Sequence, residues 1–145
     1  MIREAKQNDI IKILEIEMIS FRKPWSKKHF VNELNNIEVS LNYVHMYKNQ
    51  VIGYIFGWHI KNEYHLNNIA VHENYRCKGI AKGLIFHLIN ELIKLQVNMI
   101  FLEVNENNTS AKNLYESLGF DSVGIRKKYY NNKQDAILYN LKIPN

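Results

Sequence analysis

Scarcity is the first feature of this sequence. Its 145 residues include a single cysteine, Cys77. That excludes an intrachain disulfide and a four-cysteine zinc site, and it suits a reducing cytoplasm. No apolar run approaches the ~20 residues that a membrane helix needs, and the N-terminus lacks a signal-peptide pattern. No repeat, linker or low-complexity segment interrupts the order, so a single domain over residues 1–145 is expected. The six histidines show no metal-ligand spacing and no H-E-x-x-H, so no metal is expected. Ser26, Ser117 and Ser122 lack the G-x-S-x-G context of a hydrolase nucleophile. A net charge of +5 permits acidic partners, but the basic residues are spread along the chain with no block of the length of a nucleic-acid tail. A direct nucleic-acid role is therefore not expected.

The pattern that is present alternates between strand and helix periods. Met1 to Ala5 reads as a strand, and Asn8 or Asp9 as the N-cap of a helix carrying Ile10, Ile13, Leu14, Ile16 and Glu17. Pro24 breaks that helix, and Ser26 caps a second, short one. Two apolar runs, 43–47 and 51–56, flank Lys48-Asn49-Gln50 as a hairpin, and a further strand covers about 63–71. Ala81, Leu84, Ile85, Leu88, Leu92 and Leu95 fall at three- and four-residue steps, the clearest helix in the chain. A buried strand over 98–104 follows. Next comes a helix capped by Asn108 or Thr109 and ended by Gly119, then a last hairpin around Asn131-Asn132.

Between the strand ending at Val71 and the long helix lies Tyr75-Arg76-Cys77-Lys78-Gly79-Ile80-Ala81-Lys82. A glycine-punctuated basic loop opening a helix presents unpaired N–H groups and a positive dipole end to an anion. Arg76, Lys78 and Lys82 add mobile cations, so a pyrophosphate is the natural guest. The lysine and serine or threonine of a Walker loop are absent, and only fragments of a dinucleotide fingerprint occur.

Three further residues invite a chemical role, and each has an alternative. Glu103 is the only charge in Met99-Ile100-Phe101-Leu102-Glu103-Val104, where a buried carboxylate must be paired or useful. It is either a base or the partner of an arginine or lysine from the final hairpin. Tyr115 is either a proton donor or a core aromatic beside Leu114 and Leu118. Asn108 is a ligand contact or simply a helix cap. Trp25 and the Tyr129–Tyr130 pair either line a groove or pack.

The loop Arg76-x-x-Gly79-x-Ala81 resembles the Q/R-x-x-G-x-G/A loop of the GNAT (Gcn5-related N-acetyltransferase) superfamily. The elements Leu102-Glu103-Val104, Leu114-Tyr115-Glu116-Ser117-Leu118-Gly119-Phe120, Pro24-Trp25-Ser26 and Arg126-Lys127-Lys128-Tyr129-Tyr130 are similar to those of the bacterial ribosomal-protein-alanine N-acetyltransferases. The likeness spans nearly the whole chain. It implies an α/β (α+β) GNAT fold: one mixed, mostly antiparallel sheet with a parallel, splayed strand pair, flanked by helices. The backbone of Ile69, Ala70 and Val71 then pairs with a pantetheine arm in β-augmentation style. Arg76, Cys77, Lys78, Gly79, Ile80, Ala81 and Lys82 hold the diphosphate of acetyl-CoA, and Asn108 adds a contact. Glu103 becomes the general base, Tyr115 the general acid, and the Val71 N–H polarises the thioester carbonyl. The implied reaction acetylates the N-terminal alanine of a small-subunit ribosomal protein by direct transfer in a ternary complex in the cytoplasm. An α-amino group has a pKa of roughly 7.7–8.0 against roughly 10.4 for lysine, so it is the easier amine to deprotonate. A sister enzyme acting on lysine or a small amine is the nearest alternative. A non-catalytic acetyl-CoA or RNA-binding module is the alternative of another class.

Overall fold

Apolar residues at every second position write a sheet into the middle and end of this chain, and apolar stripes at helical spacing cover its two faces. The structure is a computed structural model. It describes the backbone of residues 1–130 and 134–144, and the side chains of these except 128–130. In chain order the elements are β1 (Ile2–Glu4), α1 (Ile10–Ser20), α2 (Lys27–Asn35), β2 (Ser40–Tyr47), β3 (Gln50–Ile60) and β4 (Glu63–Val71). After these come α3 (Ile80–Lys94), β5 (Met99–Asn105), α4 (Thr109–Ser117), β6 (Asp121–Tyr130) and β7 (Gln134–Lys142). The seven strands lie in the order β1-β2-β3-β4-β5-β7-β6. The β4–β5 pair is parallel, and the other neighbouring pairs are antiparallel.

Each face of the sheet buries its own cluster. Leu84, Ile85, Leu88 and Leu92 of α3 pack with Tyr43, Ile55, Tyr64, Leu66 and the inward residues of β5, Ile100, Leu102 and Val104. On the opposite face, Ile10, Ile13 and Ile16 of α1 and Phe30 of α2 cover Val44, Tyr54, Phe56 and Ala70. The even-numbered residues of β4 divide between the two clusters because its register against β3 slips. Phe56 faces Asn68 while Gly57 faces Leu66, so Asn67 is the extra residue of a bulge. Before the bulge Tyr64 and Leu66 look toward α3; beyond it Ala70 looks toward α1.

The parallel pairing of β4 with β5 covers three register positions, Glu63–Met99, Tyr64–Ile100 and His65–Phe101. Past them both strands continue, to Val71 and Asn105, without being paired to one another. A bulge increases local twist and bends its strand, and this one begins two residues after the last pair. The strands therefore split, as the sequence resemblance implied.

Local chemistry explains most boundaries. Ser26 accepts the His29 N–H at 3.1 Å as the cap of α2, and Lys48 and Asn49 form the β2–β3 turn with φ of 50° and 62°. Asp9 holds the N-cap position of α1, as expected, but its side chain makes no bond to that helix. The Asp9 carboxylate instead takes two Arg3 bonds at 2.9 Å and the Lys6 N–H at 2.8 Å. Burial alone pushes its pKa up, but the Arg3 and Lys6 bonds outweigh that and hold it below the usual carboxylate value. A strand residue six positions away won the side chain, because a bidentate arginine pair is stronger than a single neutral cap. The turn expected at Asn131-Asn132 lies outside the described residues.

Gly57 lets the Tyr64 ring lie flat on β3, where its hydroxyl donates to the Leu41 carbonyl at 2.9 Å. A Cβ there would overlap the ring and the His65 carbonyl. Gly57→Ala is expected to lower the unfolding free energy by about 1–3 kcal/mol. Urea titration followed by circular dichroism checks this, and an unchanged midpoint would contradict it.

Candidate active site

Hydrogen-bond alternation decides which backbone groups face the split. His72 donates to the Ile52 carbonyl at 2.7 Å, so that pair is a bonded position of the antiparallel ladder. Counting back along β4, Ala70 is bonded to Tyr54, whereas Val71 opposite Gly53 and Ile69 opposite Ile55 turn their backbone groups outward. The N–H groups of Ile69 and Val71 thus point into the gap left beside β5. The Val71 carbonyl, on the same side, accepts the Arg76 Nε–H at 3.0 Å.

At the wide end of the gap, α3 begins at Gly79, which has no side chain to cap it. The Gly83 N–H bonds the Gly79 carbonyl at 2.9 Å. The N–H groups of Ile80, Ala81 and Lys82 precede that first bond and have no carbonyl one turn behind them in the helix. The first turn carries no acidic residue, so nothing within it answers the positive end of the dipole. A cavity of about 610 Å³ joins these groups. Ile69, Ala70, Val71, Arg76, Cys77, Gly79, Ile80, Ala81, Lys82, Asn108 and Tyr115 all line it. Lys78 is exposed in the same loop but is not among the lining residues. Arg76 differs from the mobile cation expected, because its Nη2 also donates to the Ser20 hydroxyl at 3.0 Å. It braces the loop against the end of α1. Ser20 and Phe21 line the cavity too, and no short-range pattern announces them.

Tyr115 reaches this cavity through the way α4 ends. Gly119, at φ 93°, lets its own N–H bond the Glu116 carbonyl at 3.1 Å and the Phe120 N–H bond the Tyr115 carbonyl at 3.0 Å. This is a Schellman ending. Its apolar contact is the Tyr115–Phe120 ring pair, edge-on at 5.4 Å. The Tyr-Glu-Ser-Leu-Gly-Phe run therefore clamps the tyrosine at both main chain and ring. Asn108 caps α4, accepting the Ala111 N–H at 3.1 Å, and lines the cavity as well, so its two readings coexist.

A second cavity of about 700 Å³ opens on the other side of the split, between His65-Leu66-Asn67 of β4 and Phe101-Leu102-Glu103 of β5. Trp25, Arg126 and Tyr139 line it as well, with Val123 and Leu138. Strand parity turns Glu103 away from the Leu102–Val104 core face and into this space. Its carboxylate pairs with Arg126 at 2.7 Å, the final-hairpin partner that the sequence left open. The Tyr139 phenol donates to Glu116 at 2.6 Å. Burial and that carboxylate push it up to about 12, so it stays protonated at neutral pH. Trp25 stacks on His29 at 3.8 Å and meets Phe56 edge-on. The side chains of Tyr129 and Tyr130 lie outside the described residues. His65 and Asn67 were missed from sequence; the period-two alternation running back from Glu103 would have flagged only Phe101.

A groove floored by strand amides and closed by an uncapped helix start suits a long, amide-bearing anion. Residues 10–120 match the Acetyltransferase (GNAT) family, and the chain belongs to that family. Acetyltransferases of this family use acetyl-CoA. Among curated relatives, the chain is 33% identical to the "[Ribosomal protein bS18]-alanine N-acetyltransferase" of Haemophilus ducreyi, over 90% of this chain and 88% of that protein. Among solved structures, it is similar to the ribosomal-protein-S18-alanine N-acetyltransferase from Escherichia coli. That match has a TM-score of 0.93 and 32% identity, covering 100% of this chain and 94% of the other. It is also similar to a NatC complex chain bound to Gag peptide and CoA, with a TM-score of 0.83, 25% identity and coverage of 99% and 98%. No helix among the described residues is long and apolar enough to cross a membrane, and no metal-binding cluster occurs among them.

The Schellman ending carries a measurable consequence. A methyl group at Gly119 has room, its nearest neighbour being Leu141 at 3.7 Å, so the penalty in Gly119→Ala comes from the positive φ alone. A loss of about 1 kcal/mol is expected in thermal or urea unfolding; no loss would show that the chain end of α4 relaxes freely.

Proposed function

We propose that this chain transfers acetyl from acetyl-CoA to the N-terminal alanine of a small-subunit ribosomal protein, in the cytoplasm, by direct attack within a ternary complex. The observation that carries the reading is the placement of two cavities on the two sides of one split, with the Val71 amide and Tyr115 on the first and Glu103 in the second. The acceptor follows from the names of the relatives, which cover most of the chain.

The cofactor supplies an activated acetyl group and a sulfur leaving group; this chain's residues do the rest. The Ile80, Ala81 and Lys82 amides and the helix dipole hold the diphosphate, with Lys78 and Lys82 as cations beside it. The outward amides of β4 hold the pantetheine arm in the manner of an added strand. Glu103 takes the proton of the α-amine directly or through a water, so that the nitrogen attacks as a free base. The Val71 N–H stabilises the carbonyl oxygen as it gains charge. Tyr115 gives its phenolic proton to the departing sulfur. The C–N bond forms as the C–S bond breaks, the second surplus proton of the nitrogen passes to the Tyr115 phenolate, Glu103 returns its proton to solvent, and no group of the protein is acylated. Arg126 keeps the Glu103 carboxylate at the cavity wall and yields part of it to the incoming amine.

The test is an acetylation assay with peptides that begin with different residues, beside a peptide blocked at its α-amine and carrying a free lysine. The alanine peptide is expected to be the best acceptor. Glu103→Gln and Tyr115→Phe are each expected to lower kcat by roughly 10²–10⁴-fold with acetyl-CoA affinity retained. Acetylation of the lysine peptide alone would replace the acceptor, and no acetylation of any α-amine would end the reading.

A further inference from the structure

The catalytic proposal leaves one buried charge without a task. Glu17, on the last full turn of α1, is 1% exposed, and three donors from three different elements converge on it. Its Oε1 accepts the Tyr54 hydroxyl of β3 at 2.6 Å and the Asn68 side-chain amide of β4 at 2.9 Å. Its Oε2 accepts the backbone N–H of Trp25, in the turn between α1 and α2, at 2.9 Å. Burial first, and then this carboxylate, push the Tyr54 phenol well above its ordinary value, so Tyr54 stays a donor. Three donors facing one side chain call for more than one acceptor oxygen, and the two oxygens of a carboxyl group supply them. Burying such a polar group is expensive, and the geometry gives a reason for it. Trp25 lines the second cavity, and Asn68 follows directly on Asn67, which lines it too.

We infer that Glu17 is a positioning residue for the acceptor, tying Trp25 and the bulged segment of β4, two parts of the lining of the second cavity, to each other at a fixed separation. This rests on the reading of that cavity as the acceptor site. Glu17 lines neither cavity, so it acts through Trp25 and Asn68. The cofactor side has a separate brace one turn on, where Ser20 accepts Arg76 and donates to the Ile16 carbonyl at 2.7 Å. Loss of the Glu17 bonds therefore loosens the acceptor wall while leaving the phosphate loop held.

The test compares wild type, Glu17→Gln, Tyr54→Phe and, as a control for general loosening of the same helix, the buried apolar change Ile13→Ala. Each is assayed for melting temperature, acetyl-CoA Kd by calorimetry, and KM and kcat with an alanine-initiated peptide. A glutamine has one acceptor oxygen for three donors, so Glu17→Gln is expected to raise acceptor KM on the order of tenfold. Its kcat at saturating peptide and its acetyl-CoA Kd should stay within about twofold of wild type, the limit expected if only acceptor binding changes. Tyr54→Phe removes one donor and keeps the charge, so a rise of roughly threefold is expected, and it keeps the test alive if Glu17→Gln fails to fold. Ile13→Ala should lower the melting temperature without moving acceptor KM. An unchanged acceptor KM in the folded variants overturns the inference, as does a control whose KM rises in step with its melting temperature loss. A wild-type protein that acetylates no peptide overturns the acceptor reading itself, and the role of Glu17 with it.

Discussion

Everything in this molecule that can touch a ligand depends on where two parallel strands stop pairing. Three register positions join β4 to β5, and beyond His65 and Phe101 the ladder ends. Unpaired strand amides normally call for another strand or for water. Here the Asn67 bulge bends β4 away from β5 while its other edge stays bonded to β3. The result is a groove with rigid walls and unsatisfied donors, which a flexible loop could not hold in register.

The bulge has a second effect. By switching the parity of β4 it turns Ala70 to the α1 cluster and Ile69 to the α3 cluster, so the segment that forms the groove is anchored from both faces. Polar chemistry is then sorted by face. Donors for an anion collect where α3 starts, on the side of α4 and Tyr115; the carboxylate of Glu103 and its arginine lie on the other side. A thioester arm and an amine can thus approach the same split from opposite directions, the geometry a direct transfer needs.

How much of this was legible in the sequence depended on the range of the interaction. Gly119 as a helix end, Ser26 as a cap and the stripe of α3 are signals written within a few residues, and each element formed as expected. The basic loop before α3 was equally local, and so was the bond from Arg76 to the Val71 carbonyl. The bond from Arg76 to Ser20 was not, because Ser20 lies 56 residues away in sequence. The bulge at Asn67 was invisible for a related reason: Leu66-Asn67-Asn68-Ile69 carries no glycine or proline to mark an irregular strand. Glu17 read as one more position on an amphipathic helix, since Tyr54 and Asn68 come to it only in the folded chain. Asp9 sits at the start of α1 as its local signal suggested, but the pairing of its carboxylate with Arg3 of β1 was not legible there.

The most direct measurement is an amide-resolved NMR titration of the protein with coenzyme A. The account predicts that the amides of Ile69, Val71, Ile80, Ala81 and Lys82 shift most and become the most protected from exchange, with the β3–β4 ladder unchanged. Binding that leaves those five amides undisturbed, or no binding at all, would contradict it.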